Sequence, residues 1–292
     1  MCELLGMDCN TPTDLVFSFT GFARRGGCTG PHSDGWGVAF FEGKASRVFR
    51  ETVSCADSPL AAFLRGHSIK TLQSIAHIRL KTRGRVSLAN THPFVRELWG
   101  RHWVFAHNGN LKGARDLPVG RFTPVGDTDS EHAFCHLLNR LYKRFPEGAT
   151  GRPLAEAIAR IAGELAELGT FNFLLGNGER LYARCDTRLC YIVRQSPFGR
   201  ATLKDEDVSL DFSAVTSPND RVAVIATTPL TVDEVWTHGE PATLWVFRKG
   251  RCEVTLRSGR PIVRPKPRLP RRRAPQSPTA PVPTPSILPV AP

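Results

Sequence analysis

Cys2 follows the initiator methionine directly, in Met1-Cys2-Glu3-Leu4-Leu5-Gly6-Met7. Removal of Met1, which a side chain as small as cysteine permits, would leave a thiol and a free α-amine on one residue. The amine's ordinary pKa is roughly 7.7–8.0, so near neutral pH part of it can accept the thiol proton, directly or through a water. A terminal amine that activates its own side chain is an established way to make a nucleophile. By itself a cysteine at position 2 reads as incidental, and its weight comes from the polar groups that follow.

Three β-prone segments carry those groups: Ser74-Ile75-Ala76-His77-Ile78-Arg79, then Asn90-Thr91-His92-Pro93-Phe94, then Trp103-Val104-Phe105-Ala106-His107-Asn108-Gly109-Asn110. Each sets a polar residue at the end of an apolar run, where a rigid scaffold can hold it. Gly126-Asp127-Thr128-Asp129-Ser130-Glu131 follows, with Thr128 and Glu131 at capping-box spacing. Attack of a thiolate on a carboxamide needs donors for the oxyanion and groups that hold the far end of the substrate. Taken singly, Arg79 reads as a surface or paired charge, Asn108-Gly109 as a turn, and Asp129 as a first-turn helix residue. His77, His92 and His107 have no acidic partners at ligand spacing, so they read as structural hydrogen-bonders, and no metal or cofactor is expected.

In combination and in this order, the segments resemble the class II glutamine amidotransferases, the N-terminal nucleophile hydrolases that begin with cysteine. The resemblance rests on Cys2, His77-Ile78-Arg79-Leu80-Lys81-Thr82-Arg83-Gly84, Asn90-Thr91-His92-Pro93, His107-Asn108-Gly109 and Thr128-Asp129-Ser130-Glu131. It is nearest to small stand-alone bacterial members without a synthase domain. One departure is Leu80, where the larger synthases usually have an aromatic residue after the arginine. The resemblance implies that Cys2 attacks the amide while Asn108 and the Gly109 N–H hold the oxyanion. It further implies that Arg79 clamps the substrate α-carboxylate, that Asp129 receives the α-ammonium, and that Thr82 and His92 belong to the substrate pocket. The activity implied is ammonia release from glutamine through a thioester, with a separate synthase subunit as a possible recipient. Alternatives are hydrolysis of another γ-glutamyl small molecule, or a non-catalytic binding module.

The fold the resemblance implies is α+β, a four-layer αββα sandwich with Cys2 at the end of the first strand. The sequence itself places a helix from Thr11-Pro12 to about Arg25, a strand in the stretch His32–Phe41 as a glycine-punctuated loop gives way to an apolar run, a second strand over Arg47–Val53, and a helix capped by Asp57 or Ser58 that ends at Gly66 and whose apolar face is Leu60, Phe63 and Leu64. Leucines and phenylalanines at three- and four-residue intervals predict helices from Phe134 to Phe145 and from Leu154 to Leu168. Strands follow at Phe171–Leu175, Arg180–Cys185, Leu189–Arg194, Val222–Thr227, Leu244–Arg248 and Cys252–Leu256. Without regular βαβ alternation, this is α+β and not a doubly wound sheet.

The 292 residues, 41% apolar, suffice for a sizeable core. The net charge of +12 is unevenly placed: seven basic residues fall between Arg260 and Arg273, and removing them leaves +5. We expect a domain over 2–258 and a disordered basic, Pro-rich tail over 259–292. Because no aromatic residue follows Phe247, specific nucleic-acid binding is not expected. No run approaches the ~20 apolar residues of a membrane span, and the acidic N-terminal stretch is unlike a signal peptide. A cytoplasmic protein with reduced cysteines is expected.

Overall fold

The computed structural model describes residues 2–81 and 85–257. In chain order the elements are β1 (Glu3–Thr13), α1 (Val16–Arg24), β2 (Trp36–Glu42), β3 (Ala45–Glu51), α2 (Pro59–Gly66), β4 (Thr71–Ile78), β5 (Phe94–Leu98) and β6 (Arg101–Leu111). They continue with α3 (Asp129–Arg144), α4 (Gly151–Ala166), β7 (Gly169–Gly176), β8 (Leu181–Cys185), β9 (Cys190–Gln195), β10 (Arg200–Thr202) and β11 (Ser209–Asp211). The last are β12 (Arg221–Ala226), β13 (Thr237–His238), β14 (Thr243–Arg248) and β15 (Arg251–Arg257). One seven-stranded sheet runs β13-β9-β12-β1-β4-β2-β3, and a six-stranded sheet runs β15-β14-β8-β7-β6-β5. Their pairings are antiparallel.

Three apolar layers hold the sandwich together. Leu5, Met7 and Cys9 of β1 pack with Phe19 and Phe22 of α1 and Leu64 of α2. Trp103 and Phe105 of β6 pack with Phe134 and Leu138 of α3 and Ile158 and Ile161 of α4. Leu4, Ile75, Val104, Ala106, Leu174 and Ile225 fill the space between the sheets. The result is four layers, helices outside and sheets inside. Because side chains alternate along a strand, even-numbered positions on both β1 and β6 face between the sheets, and Cys2 and Asn108 inherit that orientation.

The expected helix from Thr11-Pro12 is not formed; β1 runs through those residues and α1 begins at Val16. The capping signal loses to a central strand whose ladders to β4 and β12 bury Leu5, Met7 and Cys9. Pro12 is tolerated because it lies where pairing with β4 slips between Asp8 and Thr13. The N-cap position is Leu15, which has no capping side chain, and the Val16 N–H donates to Asp14 Oδ1 at 3.1 Å. On α2, Ser58 caps as its position predicts, accepting from Ala61 N–H at 2.9 Å, but Phe63 is 56% exposed while Ala61 and Leu64 are buried. The expected disordered tail lies outside the described residues.

Candidate active site

The register Glu3↔Ile78 between β1 and β4 carries Cys2 alongside Arg79 and Leu80. Cys2 Sγ lies 3.4 Å from the Leu80 N–H, which donates to it, and 3.6 Å from Leu80 O. Burial pushes the thiol's pKa up, with the Leu80 N–H and the Arg79 charge among the groups that pull the other way. The thiol therefore needs a base to become a nucleophile. Other buried thiols are raised as well: Cys9 and Cys190 to about 12 and Cys135 to about 11, again chiefly by burial.

Arg79 is 5% exposed. Its Nη2 donates to Arg85 O at 3.1 Å, its backbone N–H to Gly35 O at 2.8 Å, and its charge reaches Cys2, Asp34 and Asp127. Asp34 in turn accepts from the Lys81 N–H at 2.7 Å, so it pins the chain just after Arg79. Thr82, the other residue placed in the pocket on this stretch, lies outside the described residues.

Asn108 and Gly109 sit inside β6, paired with Asn172 and Phe171 of β7, and do not form a turn. The Asn108 side chain is wholly buried, yet among the described residues neither Oδ1 nor Nδ2 has a hydrogen-bond partner. Leaving a buried amide unpaired costs about 1–3 kcal/mol. Its backbone, by contrast, is held: Asn172 Nδ2 donates to Asn108 O at 3.0 Å, while Asn172 Oδ1 accepts from the N–H groups of Asp186 and Thr187, both at 2.9 Å. A Cβ on Gly109 would lie 1.8 Å from Thr170 O, so this position must be glycine for reasons of space.

Asp129 opens α3. Its Oδ2 accepts from the Leu111 N–H at 2.7 Å and its Oδ1 from the Ser130 N–H at 2.9 Å, which ties the helix start to the end of β6. His107 completes the connection, with Nδ1 2.8 Å from Ser130 Oγ and Nε2 3.0 Å from Thr170 O. Since a carbonyl only accepts, Nε2 carries the proton and Nδ1 accepts from the serine. Thr128 caps the helix, receiving the Glu131 N–H at 3.2 Å. The Glu131 side chain does not return the bond; it accepts from Arg96, from Val125 N–H at 3.0 Å and from Gly126 N–H at 2.7 Å.

His77 and His92 depart from the expected hydrogen-bonding role. Their rings pack at a centroid distance of 4.3 Å, and among the described residues none of their four nitrogens has a hydrogen bond of good geometry. His77 only adjoins the His107 backbone. Burial first, then neighbouring positive groups, holds His77 at a pKa of about 3 and His92 well below its usual range. Both rings are neutral at physiological pH.

Sequence reasoning left Asn90 and Asp127 without partners. Asn90 Nδ2 donates to Asp127 Oδ1 at 2.6 Å, and its Oδ1 accepts the Asp127 N–H at 2.9 Å, latching the His92 loop to the approach to α3. Arg25 also went unmarked. It is 6% exposed and joins Glu3, Asp205, Thr228 and Pro229 around the residue after Cys2. For Asn172, which holds the Asn108 backbone, the sequence does carry a signal: a lone asparagine in the apolar run Phe171-Asn172-Phe173.

Helices outside two antiparallel sheets, with the first strand in the middle of one of them, is the architecture of the N-terminal nucleophile hydrolases. The profile for glutamine amidotransferases class-II matches residues 1–271, and the chain belongs to that family. It is 52% identical over 256 residues to YafJ of Escherichia coli K12, which is provisionally named a glutamine amidotransferase; the match covers 87% of this chain and 100% of YafJ. A crystallised Pseudomonas aeruginosa protein, provisionally assigned in the same way, superposes with a TM-score of 0.70 at 42% identity, covering 87% of this chain and 100% of its own. A gamma-glutamyl-hercynylcysteine sulfoxide hydrolase of Mycobacterium tuberculosis is 29% identical over 163 residues, covering 52% of this chain and 58% of that protein. Among the described residues no helix is long and apolar enough to cross a membrane.

Proposed function

We propose that this protein releases ammonia from glutamine through a thioester on Cys2. The observation that carries the reading is Asn108, whose buried carboxamide has no partner within the described protein and whose strand position turns it toward the same layer as Cys2. A donor left unpaired in the resting protein suits a charge that appears only during reaction.

After loss of Met1, the Cys2 amine takes the thiol proton and the thiolate attacks the amide carbon. The carbonyl oxygen becomes an oxyanion, held by Asn108 Nδ2–H and the Gly109 N–H. As the C–N bond breaks, the amine returns its proton to the departing nitrogen, and ammonia leaves a thioester. Water then adds to the thioester, the same amine accepts its proton, and glutamate departs as the thiol is restored. Arg79 holds the substrate carboxylate through its planar guanidinium, Asp129 receives the ammonium, and Thr82 and His92 line the pocket. In this reading the protein is cytoplasmic and passes ammonia to an acceptor on a separate synthase subunit.

Similarity to the M. tuberculosis hydrolase supports a second reading, cleavage of a γ-glutamyl amide in another small molecule, because the same clamp and thioester serve both. Ammonia release from glutamine by the wild type, absent in Cys2→Ser, is the deciding assay. A glutamine-analogue diazoketone should add once, on an N-terminal peptide that lacks Met1. No release by the wild type would sink the glutaminase reading. A far higher kcat/KM on a larger γ-glutamyl compound would replace it with the second.

A further inference from the structure

The two sheets end side by side in edge strands β3 and β5, and the gap between these edges is a cavity of about 290 Å³. Its walls include Ser46, Arg50, Arg96, His102 and Glu131. The charges do not balance. Glu131 already accepts from Arg96 and from the Val125 and Gly126 N–H groups, and Arg96 also donates to Val95 O at 2.7 Å and Thr123 O at 2.9 Å. Arg50 is different: among the described residues no carboxylate pairs with it, and its one hydrogen bond is from Nη1 to Thr91 O at 3.1 Å. Burial disfavours its charge; Glu131 attracts it without closing an ion pair among the described residues, and Arg96 repels it. His102 Nδ1 accepts from the Ser46 N–H at 3.0 Å, which puts the ring proton on Nε2 as a further donor.

A cavity lined by two guanidinium groups and one carboxylate carries a net positive charge and is complementary to an oxyanion, which would form charge-assisted bonds there. We propose that this gap binds a compact oxyanion, the phosphate or carboxylate of a small molecule, through Arg50, Arg96 and His102. The occupant bears on the active site from behind. Arg50 touches Thr91, next to His92, and Arg96 reaches through Glu131 to the segment that leads into Asp127 and Asp129.

The test is binding, read on full-length Cys2→Ser, so that it stands apart from amide hydrolysis. Inorganic phosphate or malonate replaces chloride at constant ionic strength, and the melting temperature is followed with each. A saturable rise is expected, and the anion giving the larger rise distinguishes phosphate from carboxylate. Arg50→Gln should weaken the effective anion about tenfold or more, and His102→Gln serves as a second variant under the same criterion. Arg50→Lys should retain binding, as should Arg47→Gln, which removes an exposed charge on the same strand that pairs with Glu42. Equal responses from Arg50→Gln and Arg47→Gln, or no saturable rise with either anion, would overturn the proposal.

Discussion

Acid should act on this protein through His77. The ring is wholly buried against His92, and its folded pKa of about 3 compares with an ordinary value near 6.5. Because the folded value is the lower one, the unfolded chain takes the proton first as pH falls. The stability that neutral His77 supplies is therefore present above pH ~6.5 and lost progressively toward pH ~3. Each pKa unit corresponds to about 1.36 kcal/mol, so one such group costs roughly 2.7 kcal/mol by pH ~4.5, against a typical total of about 5–15. His77→Gln removes the titration and keeps a polar side chain of similar size. Urea unfolding of both proteins from pH ~7.5 to ~4.5 gives the difference in stability, from which Asp8 and the other groups common to both drop out. The wild type should lose about 2.7 kcal/mol more than the variant across that range. Parallel curves would show that His77 titrates alike in both states, and the buried, neutral ring would be wrong.

Asp8 should act with the opposite sign: burial raises its pKa to about 6, above an unfolded value of about 3.9, so the folded state holds the proton longer. Relative to Asp8→Asn, the wild type should lose about 3 kcal/mol between pH ~4 and ~7, measured by the same urea titration. In steady-state ammonia assays, Asn108→Ala should lower kcat about 10²–10³-fold with little change in KM, whereas Arg79→Ala and Asp129→Ala should chiefly raise KM; normal turnover in Asn108→Ala would move the oxyanion site elsewhere. Gly109→Ala should lower both activity and melting temperature, since its Cβ would meet the Thr170 carbonyl, and a variant with wild-type melting and turnover would contradict the tight β6–β7 approach.

The amino-acid order alone was enough for features with local causes. Cys2, the arginine stretch, Asn108-Gly109 and Asp129 stand out as candidates because their types and succession match a family pattern. Helices over Phe134–Phe145 and Leu154–Leu168 could be named because a buried stripe repeats at helical spacing, and they correspond to α3 and α4. Properties that depend on what lies opposite were decided only by the tertiary structure. The strand through Pro12 exists because β4 and β12 flank it, and no local signal records a neighbour more than fifty residues away. Asn108-Gly109 reads as a turn until β7 pairs with it, and Glu131 reads as half of a capping box until Arg96 and the 125–126 amides claim its oxygens. His77 and His92 look like ordinary hydrogen-bonders in sequence; burial leaves them neutral and, among the described residues, without a hydrogen bond of good geometry, because desolvation depends on every layer around a ring. The same holds for Arg50, whose place in a cavity with Arg96 and Glu131 becomes visible only once the edges of both sheets are side by side.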